Sequence, residues 1–223
     1  MADRPITPWV MVYERLHAHF GAQDWWPAQS PFEVMVGAIL TQNTAWRNVE
    51  RAIGALRAAD ALSVFAILGM AEADLAQLIR PAGYFRVKAK RLRALCAFLA
   101  AQGVAADPGQ LGQGQDPAAL RRTLLAVHGV GEETADAILL YALDAAVPVV
   151  DAYTRRIGER LGLFPERASY REIQSAIAAE IPADAAVLNE LHALLVQLGK
   201  EHCRPRPRCE PCPLHSLCPY AYA

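Results

Sequence analysis

Four cysteines near the carboxyl end have the types and spacing of a metal site. They form a C-x5-C-x2-C-x5-C cluster of sixteen residues, made of Cys203, Cys209, Cys212 and Cys218. In a reducing compartment thiols usually stay reduced or bind metal, so four thiols at this density favour a metal site. A zinc ion and a [4Fe-4S] cluster both accept four thiolates, and the spacing alone does not separate them.

A turn with the pattern of a phosphate site lies at residues 124–156, LLAVHGVGEETADAILLYALDAAVPVVDAYTRR. The pattern predicts a helix that ends near Val127, a tight turn through Gly129 and Gly131, and a second helix over 132–143. Both glycines can take backbone angles closed to other residues, and neither has a side chain to block another backbone. Amides at the start of the second helix would favour a phosphate. For the glycines alone, an ordinary helix hairpin is the simpler interpretation.

A basic run precedes this turn. The segment from Arg80 to Arg93 contains six basic residues and no acidic one. Such a run is commonly a solvated helix face. Its functional interpretation is contact with the phosphates of a nucleic acid, which would make binding strongly dependent on salt.

The elements that must position these groups are nearly all helical. Ser30, Pro31 and Glu33 carry the capping signals of a helix start, and the apolar helix that follows should be buried. Ser169 and Glu172 form a second capping box. Further helices are predicted over 8–20, 47–58, twice within 60–79, over 80–102 and over 184–200.

Composition sets broader bounds. A chain of 223 residues with 53% hydrophobic content can bury a sizeable core, as one large domain or two small lobes. A formal charge of −1 gives no global attraction to nucleic acid, so affinity for DNA would come from local patches. The start MADRPITPWVMV lacks the pattern of a signal peptide, and no apolar stretch of about 20 residues predicts a membrane span. We expect a cytoplasmic protein without a membrane partner.

The turn and the aspartate that follows it resemble the helix-hairpin-helix DNA glycosylase superfamily of endonuclease III. In that family the hairpin grips the backbone of damaged double-stranded DNA, which implies DNA contacts for Gly129 and Gly131. The aspartate lies in the active site, which implies that Asp151 is catalytic. A fixed carboxylate beside the sugar lowers the barrier to breaking an N-glycosidic bond. The simpler role of Asp151 is N-cap of a helix over 152–161, and one residue can do both.

One position departs from the family pattern. Members that also cut the strand carry a lysine nucleophile two residues after the second glycine, where this chain has Glu133. A carboxylate cannot form a Schiff base with the sugar, because that step requires an amine. The resemblance therefore implies a glycosylase with weak or no AP lyase activity.

Three segments resemble the 3-methyladenine DNA glycosylase III branch: WWPAQSPFEVMVGAILTQNTAW, RPAGYFRVKAKRL and GVGEETADAILLYALDAAVPVVDAY. The implied substrate is an alkylated purine such as 3-methyladenine. The implied pocket stacks the extruded base between Trp25 or Trp26 and Trp46, with Lys200 near the aspartate. An alkylated adenine is cationic and gains about 0.5 to 2 kcal/mol over a tryptophan face. The alternatives are core packing for the tryptophans and a solvated helix end for Lys200.

Polar residues 41–44 follow the predicted buried helix. They are compatible with an ordinary cap and turn. In the glycosylases this position faces DNA, and one amide side chain fills the gap left by the extruded base. The resemblance implies that role for Gln42 or Asn43 without choosing between them.

The cysteine cluster is also covered by the resemblance. Endonuclease III and its relatives end in a cysteine loop with gaps of six, two and five residues that holds a [4Fe-4S] cluster. The first gap here is one residue shorter and the other two match, which favours [4Fe-4S] over zinc. The best-known type of the 3-methyladenine branch lacks this cluster. In the family the loop meets the DNA backbone, which implies phosphate contacts for Arg204, Arg206 and Arg208; a solvated loop is the alternative.

Together these features predict an all-α, two-lobed fold. The predicted domains are a helical barrel with the hairpin at residues 29–145 and an iron-sulfur cluster domain made of residues 1–28 and 146–223. The predicted function is that of a monomeric, monofunctional base-excision-repair glycosylase for alkylated purines in double-stranded DNA. One alternative is a uracil, thymine-mismatch or oxidised-pyrimidine glycosylase of the endonuclease III type. The other is a non-catalytic DNA-binding protein, which would need the hairpin but not Asp151.

Overall fold

The computed structural model describes residues 8–23 and 25–222. Within these ranges the chain is helical and contains no β-strand, so the predicted all-α class is confirmed. None of the described helices combines the length and the hydropathy that a membrane crossing requires. Residues 1–7, which carry much of the signal-peptide prediction, and Asp24 and Ala223 lie outside the described part.

The chain folds into two compact units. One, here called the hairpin unit, contains Trp26–Ala145; the other, the cysteine unit, takes the chain up to Trp25 and from Ala146 onward. The α-helices in chain order are α1 (Trp9–Phe20), α2 (Pro31–Leu40), α3 (Trp46–Ala58), α4 (Val64–Gly69), α5 (Glu72–Leu78), α6 (Phe85–Ala101), α7 (Pro117–Leu125), α8 (Glu132–Ala137), α9 (Ala152–Leu161), α10 (Tyr170–Glu180) and α11 (Ala185–Glu201). A π-helical turn, Ile138–Ala142, continues α8.

Helix α2 is the centre of the hairpin unit. Every residue of this helix after Pro31 is buried, as its nearly continuous apolar sequence predicts. The Ser30 side chain accepts a hydrogen bond from the Glu33 amide, so the predicted start is confirmed. The Glu33 carboxylate is itself buried, and it pairs with Arg57 at 2.8 Å. Helices α3 and α6 and the π-helical turn pack around α2.

Helix α11 is the centre of the cysteine unit. It packs against α1 and α9 and buries a leucine stripe on its inner side. Its first turn is capped by the Asp184 side chain, which accepts a hydrogen bond from the Val187 amide. The capping box of Ser169 and Glu172 is present at the start of α10, as predicted.

Candidate functional site

The two glycines of the hairpin differ in conformation. Helix α7 ends at Leu125 and α8 begins at Glu132, so both glycines lie in the connection. Gly129 has φ of +85°, in the left-handed region that favours glycine. Gly131 is the N-cap of α8 with φ of −95° and ψ of −179°, angles that any residue adopts. Of the two glycines, only Gly129 uses the backbone freedom that both possess, because a helix N-cap such as Gly131 needs only extended backbone.

The space around the two glycines also differs. A Cβ atom on Gly129 would lie 2.1 Å from Cγ of Arg91, so the Arg91 side chain occupies that position. A Cβ atom on Gly131 would have no atom within 4 Å, and the residue is exposed. Gly129 thus serves the packing of the protein itself. Gly131 leaves bare backbone that a ligand can approach closely.

Gln42 connects the polar segment after α2 to the hairpin. Its Nε2 donates to the Gly129 carbonyl at 3.0 Å and lies 2.9 Å from the Thr134 hydroxyl oxygen, which accepts. Its Oε1 accepts from the Arg91 guanidinium. The amide is therefore fully engaged within the hairpin unit. The neighbouring Asn43 is exposed and has φ of +52°.

Lys88 also contacts the polar segment that follows α2. This side chain is 1% exposed, and its Nζ donates to the carbonyls of Leu40 (2.7 Å) and Ala82 (2.8 Å) and to the Thr44 hydroxyl (2.7 Å). Burial, and secondarily the charge of Arg91, lower the pKa of Lys88 to about 8. All three ammonium hydrogens are engaged, so Lys88 ties the end of α2 to the start of α6.

The basic run is therefore only partly available to phosphates. The basic run predicts a solvated or phosphate-binding face, and this is wrong for Lys88. Its ammonium group donates hydrogen bonds to three oxygens inside the hairpin unit. Arg93 also points inward and donates to the carbonyls of Ile67 and Met70. The exposed members of the run are Arg80, Arg86 and Lys90.

Three aromatic side chains form a cluster in the hairpin unit. Trp26 meets Trp46 edge to face, with ring centroids 4.9 Å apart, and lies 5.1 Å from Tyr141. Trp26 also covers Gly37, where a Cβ atom would come within 3.0 Å of its ring. Because Trp26 and Trp46 are already in contact, a base can enter between them only if the pair separates. Tyr141 was not predicted as a site residue; it lies in the π-helical turn, a feature often found at functional sites.

Trp25 and Lys200 come together in the cysteine unit. The Lys200 Nζ lies 4.9 Å from the centroid of the Trp25 ring, a cation–π geometry. Lys200 is exposed near the end of α11. This tryptophan face therefore accepts a positive charge, which is the property expected of a surface that receives a cationic base.

Asp151 is the N-cap of α9, as predicted. Its Oδ1 accepts from the Thr154 amide at 2.7 Å and from the Thr154 hydroxyl at 2.9 Å. Its Oδ2 lies 3.7 Å from Nε2 of His192. Burial alone raises the pKa of Asp151, but the facing His192 imidazole and the two hydrogen bonds from Thr154 outweigh burial and lower the pKa. The carboxylate is therefore ionised, oriented and 13% exposed.

The four clustered cysteines line one depression in the cysteine unit. None of them forms a disulfide. Burial, together with smaller contributions from the other three thiols, raises the pKa of Cys212 to about 11, so the four sulfurs act on one another electrostatically. Four thiol donors facing one depression fit a [4Fe-4S] cluster in type and number. Among the described residues, no three His, Cys, Asp or Glu side chains are placed to share a single metal ion.

Arg160 of α9 braces this cysteine loop. Its guanidinium donates to the carbonyls of Arg204 (2.7 Å) and Pro205 (3.1 Å) and lies 3.3 Å from the Cys203 sulfur. Nothing in the sequence pattern marked this arginine, because it comes from a helix more than 40 residues earlier. The three arginines predicted to contact phosphates are exposed; they are Arg204, Arg206 and Arg208.

Comparison with known proteins places this geometry in a family. The family model described as HhH-GPD superfamily base excision DNA repair protein matches residues 36–183. The provisionally named DNA repair glycosylase MJ1434 of Methanocaldococcus jannaschii is 45% identical over 93% of this chain and 94% of its own length. Endonuclease III of Thermotoga maritima is 28% identical over 85% of this chain and 83% of its own.

Solved structures agree with these relatives. An endonuclease III in a non-covalent DNA complex superimposes with a TM-score of 0.81 and 24% identity, covering 96% of this chain and 94% of that one. The 3-methyladenine DNA glycosylase MagIII of H. pylori, bound to 1,N6-ethenoadenine, gives a TM-score of 0.74 and 27% identity, covering 87% of this chain and 98% of that one. The chain therefore belongs to the HhH-GPD superfamily of base excision DNA repair proteins.

Proposed function

We propose that the protein is a monofunctional DNA glycosylase that hydrolyses the N-glycosidic bond of N-alkylated purines such as 3-methyladenine. The observation that carries this proposal is the state of Asp151, a carboxylate held ionised at the N-terminus of α9 by Thr154 and His192. Positive charge develops on the sugar as the bond breaks, and a fixed negative charge lowers the barrier to that step.

The leaving base explains why one carboxylate suffices. An N-alkylated purine is already cationic, so it departs as a neutral base without being protonated first. Water then adds to the sugar and releases one proton. Glu133, exposed in the first turn of α8, supplies no amine at the position where strand-cutting relatives carry lysine. This residue supports hydrolysis without a Schiff base.

Recognition of the base rests on aromatic side chains. The Trp25 ring already accepts the Lys200 ammonium at 4.9 Å, and we propose that a cationic base takes the place of that charge or uses the opposite face. Within the hairpin unit, we propose Trp46 as a stacking surface, with Trp26 against it edge to face as its support. The glycosylase relative solved with 1,N6-ethenoadenine supports an alkylated purine over an oxidised pyrimidine.

We propose that exposed positive side chains and open protein backbone contact the phosphates of the DNA. Gly131 offers an amide without a side chain in front of it, and Arg204, Arg206 and Arg208 are exposed in the cysteine loop. Damaged double-stranded DNA is the proposed partner, and the DNA complexes among the structural neighbours support it. Gln42 or Asn43 would fill the gap left by the base. If Gln42 does so, its amide must leave Gly129, Thr134 and Arg91.

The proposed cofactor is a [4Fe-4S] cluster held by Cys203, Cys209, Cys212 and Cys218, with zinc as the alternative. Such a cluster requires four thiolates, and binding it would fix the cysteine loop. The endonuclease III relatives support this choice. Iron and sulfide analysis of protein purified without oxygen tests it: about four irons per chain is expected, and one zinc per chain contradicts it. We also propose a cytoplasmic monomer, which size-exclusion chromatography tests in part.

A substrate panel tests the proposed activity. Purified protein is incubated with duplexes carrying 3-methyladenine, uracil, a thymine mismatch or thymine glycol, and each product is analysed with and without alkali. We expect release of the alkylated purine, with strand breaks appearing only after alkali. Breaks without alkali would contradict the monofunctional assignment. Preference for uracil or thymine glycol would support the alternative endonuclease III specificities, and no excision of any substrate would support a binding protein.

A further inference from the structure

His192 is a buried histidine whose imidazole faces the proposed catalytic carboxylate. It lies in the middle of α11 and is 8% exposed. Its Nε2 lies 3.7 Å from Asp151 Oδ2, and both residues belong to the cysteine unit. No motif marks His192, because the two residues are 41 positions apart in sequence and meet only through the packing of α9 on α11.

The two oxygens of Asp151 have different tasks. Oδ1 already accepts two hydrogen bonds, from the amide and the hydroxyl of Thr154, and these occupy both of its lone pairs. Oδ2 is the oxygen that faces His192. The oxygen left for a sugar or a water molecule is therefore Oδ2, and its position and charge depend on the imidazole.

The surroundings of His192 point to the same role. His192 lines a small apolar depression of the cysteine unit. The other residues that line it are Pro148, Val149, Ile177, Leu188, Leu191 and Leu195. An apolar side chain would suit such a wall, so the polar imidazole at this position needs a reason, and the facing Asp151 carboxylate supplies one.

Charged groups on the neighbouring elements are directed elsewhere. On α9, Arg155 donates to the Ala168 carbonyl and Arg156 to the Cys203 carbonyl. On α11 itself, Glu190 accepts from the Gln23 amide. On α1, burial raises the pKa of Tyr13, and the charge of Glu190 raises it further. His192 and Thr154 are the groups that govern the ionisation of Asp151.

We propose that His192 is a positioning residue for excision, which holds the Asp151 carboxylate ionised and directs Oδ2 toward the reacting sugar. This inference rests on the proposed function, because it assumes that Asp151 is the catalytic carboxylate. The imidazole of His192 lowers the pKa of Asp151, so its removal makes Asp151 easier to protonate. The excision rate of a variant without this imidazole then falls at acid pH more than at neutral or alkaline pH.

The test is the pH profile of His192→Gln, which keeps a polar side chain and removes the imidazole. The substrate is a duplex with 3-methyladenine, whose ring methyl group keeps the base cationic across the acid range. Single-turnover excision is measured between about pH 3 and 8, so that the acid limb set by Asp151 is included, with His17→Gln, an exposed histidine of α1, as the matched control. An opposite charge at this distance lowers a carboxylate pKa by about 1 to 3 units, so the acid limb of His192→Gln should move up by about 1 unit or more.

On the acid limb that displacement makes excision about tenfold slower than in the wild type. Affinity for a duplex with an abasic-site analogue should change by less than about twofold. A uniform loss at every pH, or an unmoved acid limb, would overturn the inference. His192→Asn serves as the second variant if His192→Gln does not fold. Asp151→Asn separates the two proposals: if it remains active, the assignment of Asp151 fails, whereas an inactive Asp151→Asn with a normal His192→Gln profile contradicts the role of His192 alone.

Discussion

Lys88 of the hairpin unit and Asp151 of the cysteine unit are both removed from water, but their partners differ. The three oxygens that accept from Lys88 are all neutral, and the nearby Arg91 is positive, so the pKa of Lys88 falls to about 8. Asp151 has a histidine and two N-cap hydrogen bonds, which keep its pKa low in spite of burial. Burial disfavours the charged form of both groups, and the partners of each group determine whether it stays ionised.

We infer from this difference that the hairpin unit and the cysteine unit have separate functions. In the hairpin unit, Lys88 and Arg91 are used internally to shape the segment that includes Gln42, and Gly131 leaves open backbone. In the cysteine unit, the ionised Asp151 is the proposed reactive group. We therefore expect variants of the hairpin unit to change stability and DNA affinity, and variants around Asp151 to change the rate of excision.

The largest expected effect is that of Asp151→Asn. An amide keeps the N-cap hydrogen bond to Thr154 but has no negative charge to stabilise the developing positive sugar. Single-turnover excision of an alkylated purine should fall by about 100-fold or more, because the loss of one preorganised electrostatic partner has this magnitude. Full activity of the Asn variant would remove Asp151 from the mechanism.

Lys88→Met should have the largest effect on stability. Methionine fills a similar volume and removes the donor to the Leu40 and Ala82 carbonyls and to the Thr44 hydroxyl, so that the Leu40 carbonyl loses this bond and the Ala82 carbonyl keeps only the Thr44 hydroxyl. Each buried group left unpaired costs about 1–3 kcal/mol, so unfolding by urea should show a loss of at least about 2 kcal/mol. Exposed Lys90→Met, two residues along α6, is the matched control and should be nearly neutral. An equal effect of the two variants would show that the bonds of Lys88 contribute nothing.

Lys88 also predicts a pH dependence with a defined sign. Its pKa is about 8 in the folded protein and 10.5 as the ordinary value, so between these pH values the unfolded chain binds more protons. Stability should therefore rise with pH across this window in the wild type relative to Lys88→Met, by on the order of 1–3 kcal/mol. Urea unfolding of both proteins at each pH measures the difference. A parallel pH dependence would show that the three hydrogen bonds keep Lys88 charged throughout.

The helix starts in both units were predictable because their signals are local. Ser30, Ser169 and Asp151 cap helices through amides only three residues ahead, and the sequence contains both partners of each bond. The burial of Lys88 was not predictable in this way. Its acceptors come from Leu40 and Ala82, and a basic run by itself is typical of a solvated face.

The candidate site shows the same limit. The order of the hairpin and the following aspartate marked Gly129 and Asp151, yet nothing local distinguished Gly129 from Gly131 or connected His192 to Asp151. The distinction between the glycines depends on the Arg91 side chain, which arrives from α6. The difference between the glycines and the pairing of His192 with Asp151 both depend on contacts between segments that are distant in sequence. A pattern within one segment does not show such contacts.

Replacing each glycine of the hairpin by alanine tests whether Gly129 and Gly131 have different roles. Gly129→Ala must hold alanine at φ of +85° and displace Arg91, which also breaks the bond from Arg91 to Gln42. The left-handed conformation alone costs about 1–2 kcal/mol, so thermal unfolding should occur at a clearly lower temperature. Gly131→Ala meets open space in an extended conformation, and its stability should stay within about 0.5 kcal/mol. Equal destabilisation would contradict the separate roles.

The smallest expected effect concerns the polar segment. Gln42→Ala loses the bonds to Gly129 and Thr134 and the acceptor for Arg91, so its affinity for a damaged duplex should fall about tenfold, the equivalent of one or two net hydrogen bonds. Asn43→Ala removes an exposed amide and should weaken binding only about twofold to threefold. The measurement is the Kd for a duplex with an abasic-site analogue. A larger loss for Asn43→Ala would identify Asn43 as the side chain that fills the gap in the duplex.

The most direct test of the division of labour measures two quantities on two variants, Gly131→Ala and Asp151→Asn. The quantities are the Kd for a duplex with an abasic-site analogue and the single-turnover rate of alkylated-purine excision at saturating enzyme. We predict that Gly131→Ala weakens binding by about tenfold and keeps its rate, because its new methyl group stands where the backbone is open. Asp151→Asn should keep its Kd and lose the rate. If Asp151→Asn lost affinity and kept its rate, or Gly131→Ala lost its rate and kept its affinity, the division between a binding region and a catalytic region would be contradicted.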